Sequence, residues 1–343
     1  MLRAVNPGDP WLAGRRPFVR LLAEATARLG GVLELDGAYG HVGRFTPAGG
    51  GPARPIFGNA LGLNADAAAA LSADKSHTAD RLAAAGLPVP AGLIVFSPAY
   101  AARMRLKNAA VAATLGGVDK AVHWAAQAGY PVIAKPNSGS EGRGVHLAGG
   151  PDDLRADLAE LFTSDDRVRV EAMVPGADVR VVVLDGAVRM AYRRAPPVVV
   201  GDGRTTVAAL AQAALAEAAA RARGPKLDLA DPRIGRALAA QGLGLGDVPS
   251  DGAAVRLLSS ANLSVGGGMD DLTETLPGDA ADLALNAAAE IGLRLAGVDL
   301  RLGDGGAPVV LEVNSAPGLD GYASHGPAHW ARAVDLVVEA LSA

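Results

Sequence analysis

Apolar residues recur every three or four positions in several stretches of the chain, and short β-branched runs separate these stretches. Residues 17–30 show the helical spacing and end at glycines, whereas residues 31–37 read as a strand. Residues 43–58 are rich in glycine and proline, so their composition predicts a loop. The alternation of helices and strands favours α/β or α+β layering.

Two hairpins are predicted further along the chain. Residues 131–136 read as a strand, and residues 144–149 pair with it across a glycine-rich loop. An Asp-Gly dipeptide at 185–186, between two β-branched runs, is typical of a two-residue hairpin turn. Near the C-terminus, residues 297–302 and 307–314 read as strands that precede a closing helix.

Composition excludes several classes of protein. The 343 residues suffice for roughly two or three domains. A net charge of −4 argues against a nucleic-acid surface, and the absence of cysteine excludes disulfides, thiolate zinc sites and cysteine nucleophiles. No apolar run approaches the length of a membrane helix, and the first residues lack the apolar region of a signal peptide. We therefore expect a cytoplasmic protein with neither a nucleic acid nor a membrane as partner.

The first candidate for chemistry is residues 132–145, VIAKPNSGSEGRGV. Lys135 ends a strand and precedes Gly139, Gly142 and Gly144. A glycine-rich loop after a strand usually indicates a phosphate site. The spacing matches neither G-x-x-x-x-G-K-[ST] nor G-x-G-x-x-G, so a loop of another type is predicted.

The second candidate is acidic. Asp299 lies on one predicted strand, while Glu312 and Asn314 stand two apart on the next and share a face. If the strands are hairpin neighbours, three oxygen-bearing side chains converge. Mg²⁺ prefers such oxygen ligands together with substrate phosphates. The alternative is a surface hairpin with solvated acids.

A third candidate follows Glu171, which ends a strand before a Pro-Gly turn. Asp178 and Arg180 are two apart on the next strand and share a face. The carboxylate can accept hydrogen bonds from ribose hydroxyls, and the arginine can bind phosphate. An ordinary exposed ion pair is the alternative.

The order of these parts resembles the ATP-grasp superfamily of carboxylate–amine ligases. The resemblance begins with the lysine of DKSHTADRLAAAGLPVP near Asp74 and runs to about Gly321. Three further stretches resemble the ATP-grasp regions of cyanophycin synthetase and bifunctional glutathione synthetase: YRRAPPVVVGDGRTTVAAL (192–210), SSANLSVGGGMDDLTETL (259–276) and EVNSAPGLDGYASHGP (312–327). D-alanine–D-alanine ligase is a more distant relative with the same frame.

This resemblance implies an α+β ATP-grasp fold, in which two α/β subdomains clamp ATP. It implies a short N-terminal α/β segment at residues 1–70 and an ATP-grasp domain at 71–343. Within that domain the lid subdomain covers about 88–172 and the C-terminal subdomain covers 173–343.

The resemblance also implies roles for individual residues. The residues implied to bind ATP are Lys75, Lys135, Ser138, Gly139, Ser140, Gly142, Arg143, Gly144, Glu171, Ala172, Met173, Val174 and Asp178. Asp299, Glu312 and Asn314 hold Mg²⁺, which Mn²⁺ can replace. Arg194 and Arg180 stabilise the phosphoryl group in transfer, so they are the implied catalytic residues.

Substrate contacts are expected in two places. The loop with Asn262, Ser264, Gly266 and Gly267 offers backbone N–H groups to an anionic substrate. His325 follows the metal strand and either contacts the acceptor amine or has a structural role.

The implied activity is ATP- and Mg²⁺-dependent ligation. A substrate carboxylate is activated as an acyl-phosphate and coupled to an amine, giving an amide or peptide bond between small amino-acid-like substrates. The alternative is a nucleotide-binding regulator that has lost ligation. Homodimers or homotetramers are expected by analogy. Only about 70 residues precede the ATP-grasp frame, so the product of neither resembled synthetase is carried over. Residues 98–120 make the connection between the first lysine helix and the strand before the glycine-rich loop longer than is usual in the resembled family.

Overall fold

The computed structural model describes residues 1–139, 142–222, 227–259, 261, 263, 267–303 and 306–343. The strands are β1 (Leu2–Ala4), β2 (Val32–Asp36), β3 (Val42–Thr46), β4 (Arg54–Phe57), β5 (Gly92–Phe96), β6 (Val132–Pro136), β7 (His146–Ala148), β8 (Arg167–Ala172), β9 (Ala177–Leu184), β10 (Ala187–Ala195), β11 (Val198–Val200), β12 (Ala254–Arg256), β13 (Gly268–Asp271), β14 (Leu295–Leu302) and β15 (Val309–Asn314). The helices are α1 (Pro17–Arg28), α2 (Asp66–Ser72), α3 (Lys75–Ala84), α4 (Pro98–Lys107), α5 (Ala109–Ala112), α6 (Val118–Ala128), α7 (Pro151–Leu161), α8 (Val207–Ala222), α9 (Pro232–Ala239), α10 (Gly278–Ile291), α11 (Asp320–Ala323) and α12 (Pro327–Ser342).

The N-terminal segment forms an antiparallel sheet in the order β1-β2-β3-β4, with α1 beside it. The prediction of a loop across residues 43–58 is wrong, because β3 and β4 lie within that range. Gly43 is needed where the strands approach, since a Cβ there would lie 2.2 Å from the carbonyl oxygen of Glu34. Pro55 is tolerated because β4 is an edge strand.

A second sheet, in the order β5-β8-β6-β7, carries α6 and α7 on its apolar face. The predicted hairpin between β6 and β7 is confirmed, with Ala134 opposite His146. The glycine-rich loop joins these two strands, and Ser140 within it lies outside the described residues. We call this sheet and its helices the lid.

The largest sheet has five antiparallel strands in the order β13-β10-β9-β14-β15. The Asp-Gly turn between β9 and β10 is confirmed, since Asp185 and Gly186 both have positive φ angles (48° and 73°), as a type I′ turn requires. One face of the sheet, with Val179, Val181 and Val183, packs against α10. We call the opposite side the inner face.

The inner face is divided along its strands. At one end, Val182, Leu184 and Leu295 pack with residues of α1 and α12, so the N-terminal segment shares a core with this sheet. At the other end the inner face carries charged side chains.

Residues 198–258 add a two-stranded sheet, β11-β12, with its own core against α8 and α9. Within the described ranges, no helix is long and apolar enough to cross a membrane.

Candidate nucleotide and metal site

Four residues, three of them predicted site residues, stand directly opposite one another across the large sheet. Tyr192 pairs with Arg180, Arg180 with Asp299, and Asp299 with Glu312. These residues therefore form one row on the inner face. Asn314 lies opposite Gly297, one step along the same face. The condition set by the sequence, that the strands of Asp299 and Glu312 are hairpin neighbours, is met.

Two arginines and two aspartates form a buried cluster around this row. Arg180 Nη2 donates to Asp299 Oδ2 at 2.9 Å, and Arg180 Nε donates to Oδ1. Arg194 Nη2 lies 3.1 Å from Asp299 Oδ1 and 2.5 Å from Asp178 Oδ1. All four side chains are only 9–12% exposed. An ordinary exposed ion pair is therefore ruled out for Asp178 and Arg180.

The cluster shifts the pKa values of its two acids in opposite directions. Burial raises the pKa of Asp299, but the charges of Arg180 and Arg194 outweigh it and lower that pKa to about 2. Asp299 is thus an anion at neutral pH, as a metal ligand must be. Burial raises the pKa of Asp178, and the attraction of Arg194 only partly opposes this effect.

Lys75 connects the glycine-rich loop to the row. It is the first residue of α3, and its Nζ donates to the carbonyl oxygen of Gly139 at 2.6 Å. The same Nζ lies 3.3 Å from Glu312 Oε1. The predicted phosphate lysine and the predicted metal carboxylate are therefore neighbours.

Lys135 belongs to a second buried cluster, on the lid. Its ammonium pairs with Glu171, and Arg169 Nε donates to Glu171 Oε2 at 2.7 Å. Arg169 was not predicted from the sequence. It stands two residues before Glu171 on β8, so alternation along the strand places both side chains on one face.

Asn137 is a further residue that was not predicted from the sequence. It is completely buried, and its Oδ1 accepts a hydrogen bond from the backbone N–H of Ser76 at 3.0 Å. Its backbone carbonyl accepts the N–H of Lys75 at 3.0 Å, and its own N–H donates to Arg167. Asn137 thereby fixes the start of α3 to the end of β6, and so fixes both lysines relative to each other.

The loop needs its glycines. Gly139, Gly142 and Gly144 have φ angles of 118°, 66° and 64°, a region that other residues rarely adopt. A Cβ at Gly144 would also lie 2.9 Å from the ring of Pro136. Arg143 stands between the second and third glycines.

The remaining nucleotide residues lie around the lid. The hydroxyl of Ser138 accepts a long hydrogen bond, 3.5 Å, from Arg167. Ala172 ends β8, and Met173 and Val174 lead to β9, with Met173 43% exposed. Their predicted contact with adenine, and that of Asp178 with ribose, stay predictions.

The predicted substrate residues are only partly visible. Asn262, Ser264 and Gly266 lie outside the described residues, while Gly267 directly precedes β13. His325 is exposed, and its Nδ1 lies 2.7 Å from the carbonyl oxygen of Gly321.

A cluster beside His325 was not predicted. Asp271 ends β13 opposite Tyr192, at the edge of the row. Its Oδ2 accepts the hydroxyl of Tyr322 at 3.0 Å and lies 3.3 Å from His329 Nε2. No sequence signal pointed to these contacts, because they join residues about 50 positions apart.

The donor set fits a magnesium ion that is shared with phosphates. Among the described residues, no three His, Cys, Asp or Glu side chains form a group that could hold a metal alone. The row offers two carboxylates, and Asn314 beside it adds an amide oxygen, so all three are hard oxygen donors. Mg²⁺ usually takes one or two carboxylates and completes its shell with phosphate oxygens and water. Asp299, Glu312 and Asn314 would hold it.

Comparison with known proteins gives two partial family matches. Residues 259–329 match the RimK-like ATP-grasp domain, and residues 99–176 match the carbamoyl-phosphate synthase L chain ATP binding domain. Cyanophycin synthetase of Nostoc sp. is 32% identical over 73% of this chain and 27% of its own length. The glutathione biosynthesis bifunctional protein GshAB of Streptococcus mutans is 31% identical over 68% of this chain and 29% of its own length.

A solved structure extends the likeness to almost the whole chain. The bifunctional glutathione synthetase from Pasteurella multocida superposes with a TM-score of 0.59 and 22% identity, over 96% of this chain and 44% of that one. The α+β architecture, the glycine-rich hairpin of the lid and the acidic row define an ATP-grasp fold. The chain belongs to the ATP-grasp superfamily, and it resembles the ATP-grasp regions of cyanophycin synthetase and GshAB. It spans about a quarter of the length of these curated relatives (27% and 29%).

Proposed function

We propose that this chain is an ATP- and Mg²⁺-dependent carbon–nitrogen ligase. It activates a substrate carboxylate as an acyl-phosphate and couples it to an amine, forming an amide or peptide bond between small amino-acid-like substrates. The observation that carries the proposal is the cross-strand row of Arg180, Asp299 and Glu312, with Lys75 at 3.3 Å from Glu312. Cationic side chains here lie beside two carboxylates, an arrangement that supports the binding of phosphates together with a metal.

The ion pairs of the two lysines support a site in which ATP phosphates replace the present partners. Lys75 is paired with Glu312, and Lys135 is paired with Glu171. Both acceptors form charge-assisted hydrogen bonds, but the ATP phosphates carry several negative charges and many acceptor oxygens, so they would compete with each single carboxylate for its lysine. Glu312 would then be available to Mg²⁺, which supplies charge neutralisation at the phosphates.

The position of Arg180 and Arg194 supports a role for both in the transfer step. Both guanidinium groups lie within hydrogen-bond distance of Asp299, next to the proposed metal. Fixed cations at this place would stabilise the charge on the phosphoryl group as it passes to the substrate carboxylate. The glycine-rich loop would cover the site and exclude water from the reactive acyl-phosphate.

The alternative, a nucleotide-binding regulator without ligation, is less well supported. A degenerate site is expected to have lost at least one of its ionic side chains. Instead, the described residues include both lysines, both arginines and all three predicted metal ligands, from Lys75 to Asn314.

Phosphate release tests the proposal. Purified protein with ATP, Mg²⁺ and pooled amino acids should release phosphate only when a suitable carboxylate and amine are both present, and mass spectrometry then identifies the coupled product. The Glu312→Ala variant must lose this release. ATP binding without turnover on any pair would favour the regulator. ADP formation with a carboxylate alone would indicate a phosphotransferase that stops before coupling.

A further inference from the structure

The buried charge cluster of the lid contains two cations and one acid. Lys135 and Arg169 both pair with Glu171, and the three side chains are only 3–10% exposed. In the part of the chain that the structure describes, neither cation has an ion pair with a second acid. The cluster therefore keeps one positive charge in excess. A buried charge without a counter-charge is unfavourable, so an anion that reached the cluster would stabilise it.

The two cations are held differently. Lys135 of β6 stands directly opposite Arg169 of β8, and Glu171 is the sole partner of its ammonium among the described residues. Arg169 also donates from Nη2 to the carbonyl oxygen of Pro90 at 3.1 Å. A Cβ at Gly92 would lie 3.0 Å from the same nitrogen, so β5 packs closely against the guanidinium. The lysine can therefore leave Glu171 while the arginine stays in place.

Binding of ATP would leave the two acids in different situations. If phosphates take Lys75 from Glu312, the proposed Mg²⁺ becomes the new cation beside that carboxylate. If phosphates take Lys135 from Glu171, the remaining cation is Arg169. The side chain of Glu171 is 6% exposed, and a carboxylate left without a partner at such a place is strongly unfavourable. Without Arg169, this penalty would oppose the binding of ATP.

We propose that Arg169 is a positioning residue that releases Lys135 to the phosphates. It remains with Glu171 when the lysine moves, and so keeps the buried carboxylate paired while the nucleotide binds. Nη1 of Arg169 has no hydrogen-bond partner among the described residues, so the guanidinium has donors left to replace the lost lysine bond. The inference rests on the ATP site of the proposed function, but not on the later coupling to an amine.

ATP binding by an Arg169→Met variant tests this role. Methionine removes the charge but keeps a long side chain, and Glu171 and Lys135 remain a neutral pair, so the variant should fold. Calorimetry with ATP and Mg²⁺, without other substrates, should show a dissociation constant raised by about tenfold or more. Turnover at saturating ATP should change by less than about threefold, because Lys135 has then reached the phosphates. Arg169→Lys keeps the charge and should bind ATP within about threefold of the parent chain.

A double-mutant cycle separates this role from a merely structural one. Glu171→Gln removes the acid that has to stay paired, so adding Arg169→Met to it should change the ATP dissociation constant by less than about twofold. A structural arginine would weaken ATP binding equally with glutamate or glutamine at this position. The matched control is Arg155→Met on α7 of the lid. Arg155 is 48% exposed, and its variant should bind ATP as the parent chain does.

Three results would overturn the inference. These are unchanged ATP affinity of Arg169→Met, an equal loss of affinity with and without Glu171→Gln, and a loss of turnover at unchanged affinity. A parent chain that binds ATP but forms no product would refute the ligase, and the cycle would still decide on Arg169. A parent chain that binds no ATP would refute both. Thermal unfolding without ligand identifies a lost fold, in which case Arg169→Gln, with a donor for Pro90, replaces Arg169→Met in the cycle.

Discussion

The two ends of the inner face of the large sheet differ sharply although the same strands build both. Strand β9 places Val182 and Leu184 at one end, with at most 1% exposure, and Asp178 and Arg180 at the other. The apolar end is sealed by α1 and α12, and the charged end holds the candidate site. Alternation puts all four side chains on one face, and the change from charged to apolar residues along the strand separates the site from the anchor.

This difference separates stability from function. Buried apolar surface contributes roughly 25 cal/mol for each Å², so the sealed end contributes directly to the free energy of unfolding. Buried ion pairs contribute little, because the cost of removing charges from water offsets their attraction. The charged end is instead held rigid by its anchored strands, which suits groups that must meet phosphates in a fixed geometry.

The largest expected effect is on turnover at the charged end. Glu312→Ala removes a proposed metal ligand, and metal ions contribute several kcal/mol to charge stabilisation, so turnover should fall by about 10³-fold. The melting temperature should change little, because this side chain is 23% exposed. Phosphate release and thermal unfolding measure the two quantities. A large loss of stability would contradict the separation.

The opposite result is expected at the sealed end. Leu184→Ala deletes a side chain that is 1% exposed, so the free energy of unfolding should fall by about 2–5 kcal/mol. Turnover per folded molecule should be retained below the melting temperature. Denaturant titration checks the stability, with Leu106→Ala as the control. Because Leu106 is 93% exposed, its change should stay within about 0.5 kcal/mol.

The charged end should contribute less to the free energy of unfolding than the sealed end, and its contribution should depend on pH. The pKa of Asp299 is lowered to about 2, below its value of about 4 in the unfolded chain. A lowered pKa gives stability above pH 4 that is lost as pH falls through 2, here about 2 kcal/mol. The raised pKa of Asp178 has the opposite sign, so it partly offsets this loss.

Asp299→Asn should therefore flatten the decline of unfolding free energy between pH 4 and pH 2. Denaturant titration at a series of pH values measures it. Asp119→Asn removes the charge of a side chain that is 92% exposed, and it should leave the slope unchanged. An equal slope in the Asp299 variant would mean that the arginine cluster does not set the acid sensitivity.

The sequence predicted the charged end better than its surroundings. The E-x-N spacing and strand alternation were enough to place Glu312 and Asn314 on one face, whereas Asp299 was expected beside them only if the two strands were neighbours, which they are. Asn137 and Asp271 were missed, because their contacts with Ser76 and Tyr322 arise only when distant segments fold together. The strands of residues 43–58 were missed because glycine and proline there serve close packing and a sheet edge. The domain boundaries at residues 70 and 172 stay predictions.

The smallest expected effect lies at the border between the two ends. Gly297 stands opposite Asn314, and a Cβ there would lie 2.9 Å from Pro317 Cβ and 3.2 Å from Arg180 Nη1. Gly297→Ala should therefore displace Arg180 from Asp299. We expect the free energy of unfolding to fall by about 1 kcal/mol and turnover to fall by up to about tenfold.

The control is Gly268→Ala on β13, where a Cβ meets Ala195 at an ordinary 3.6 Å. It should alter neither stability nor turnover. Steady-state kinetics with saturating ATP compares the two variants. If Gly297→Ala lowers stability but not turnover, Arg180 tolerates displacement and the charged end is not held rigidly by its strands. If the loss of turnover, expressed as a free energy, exceeds the loss in free energy of unfolding, turnover depends on the position of Arg180, which the anchored strands hold.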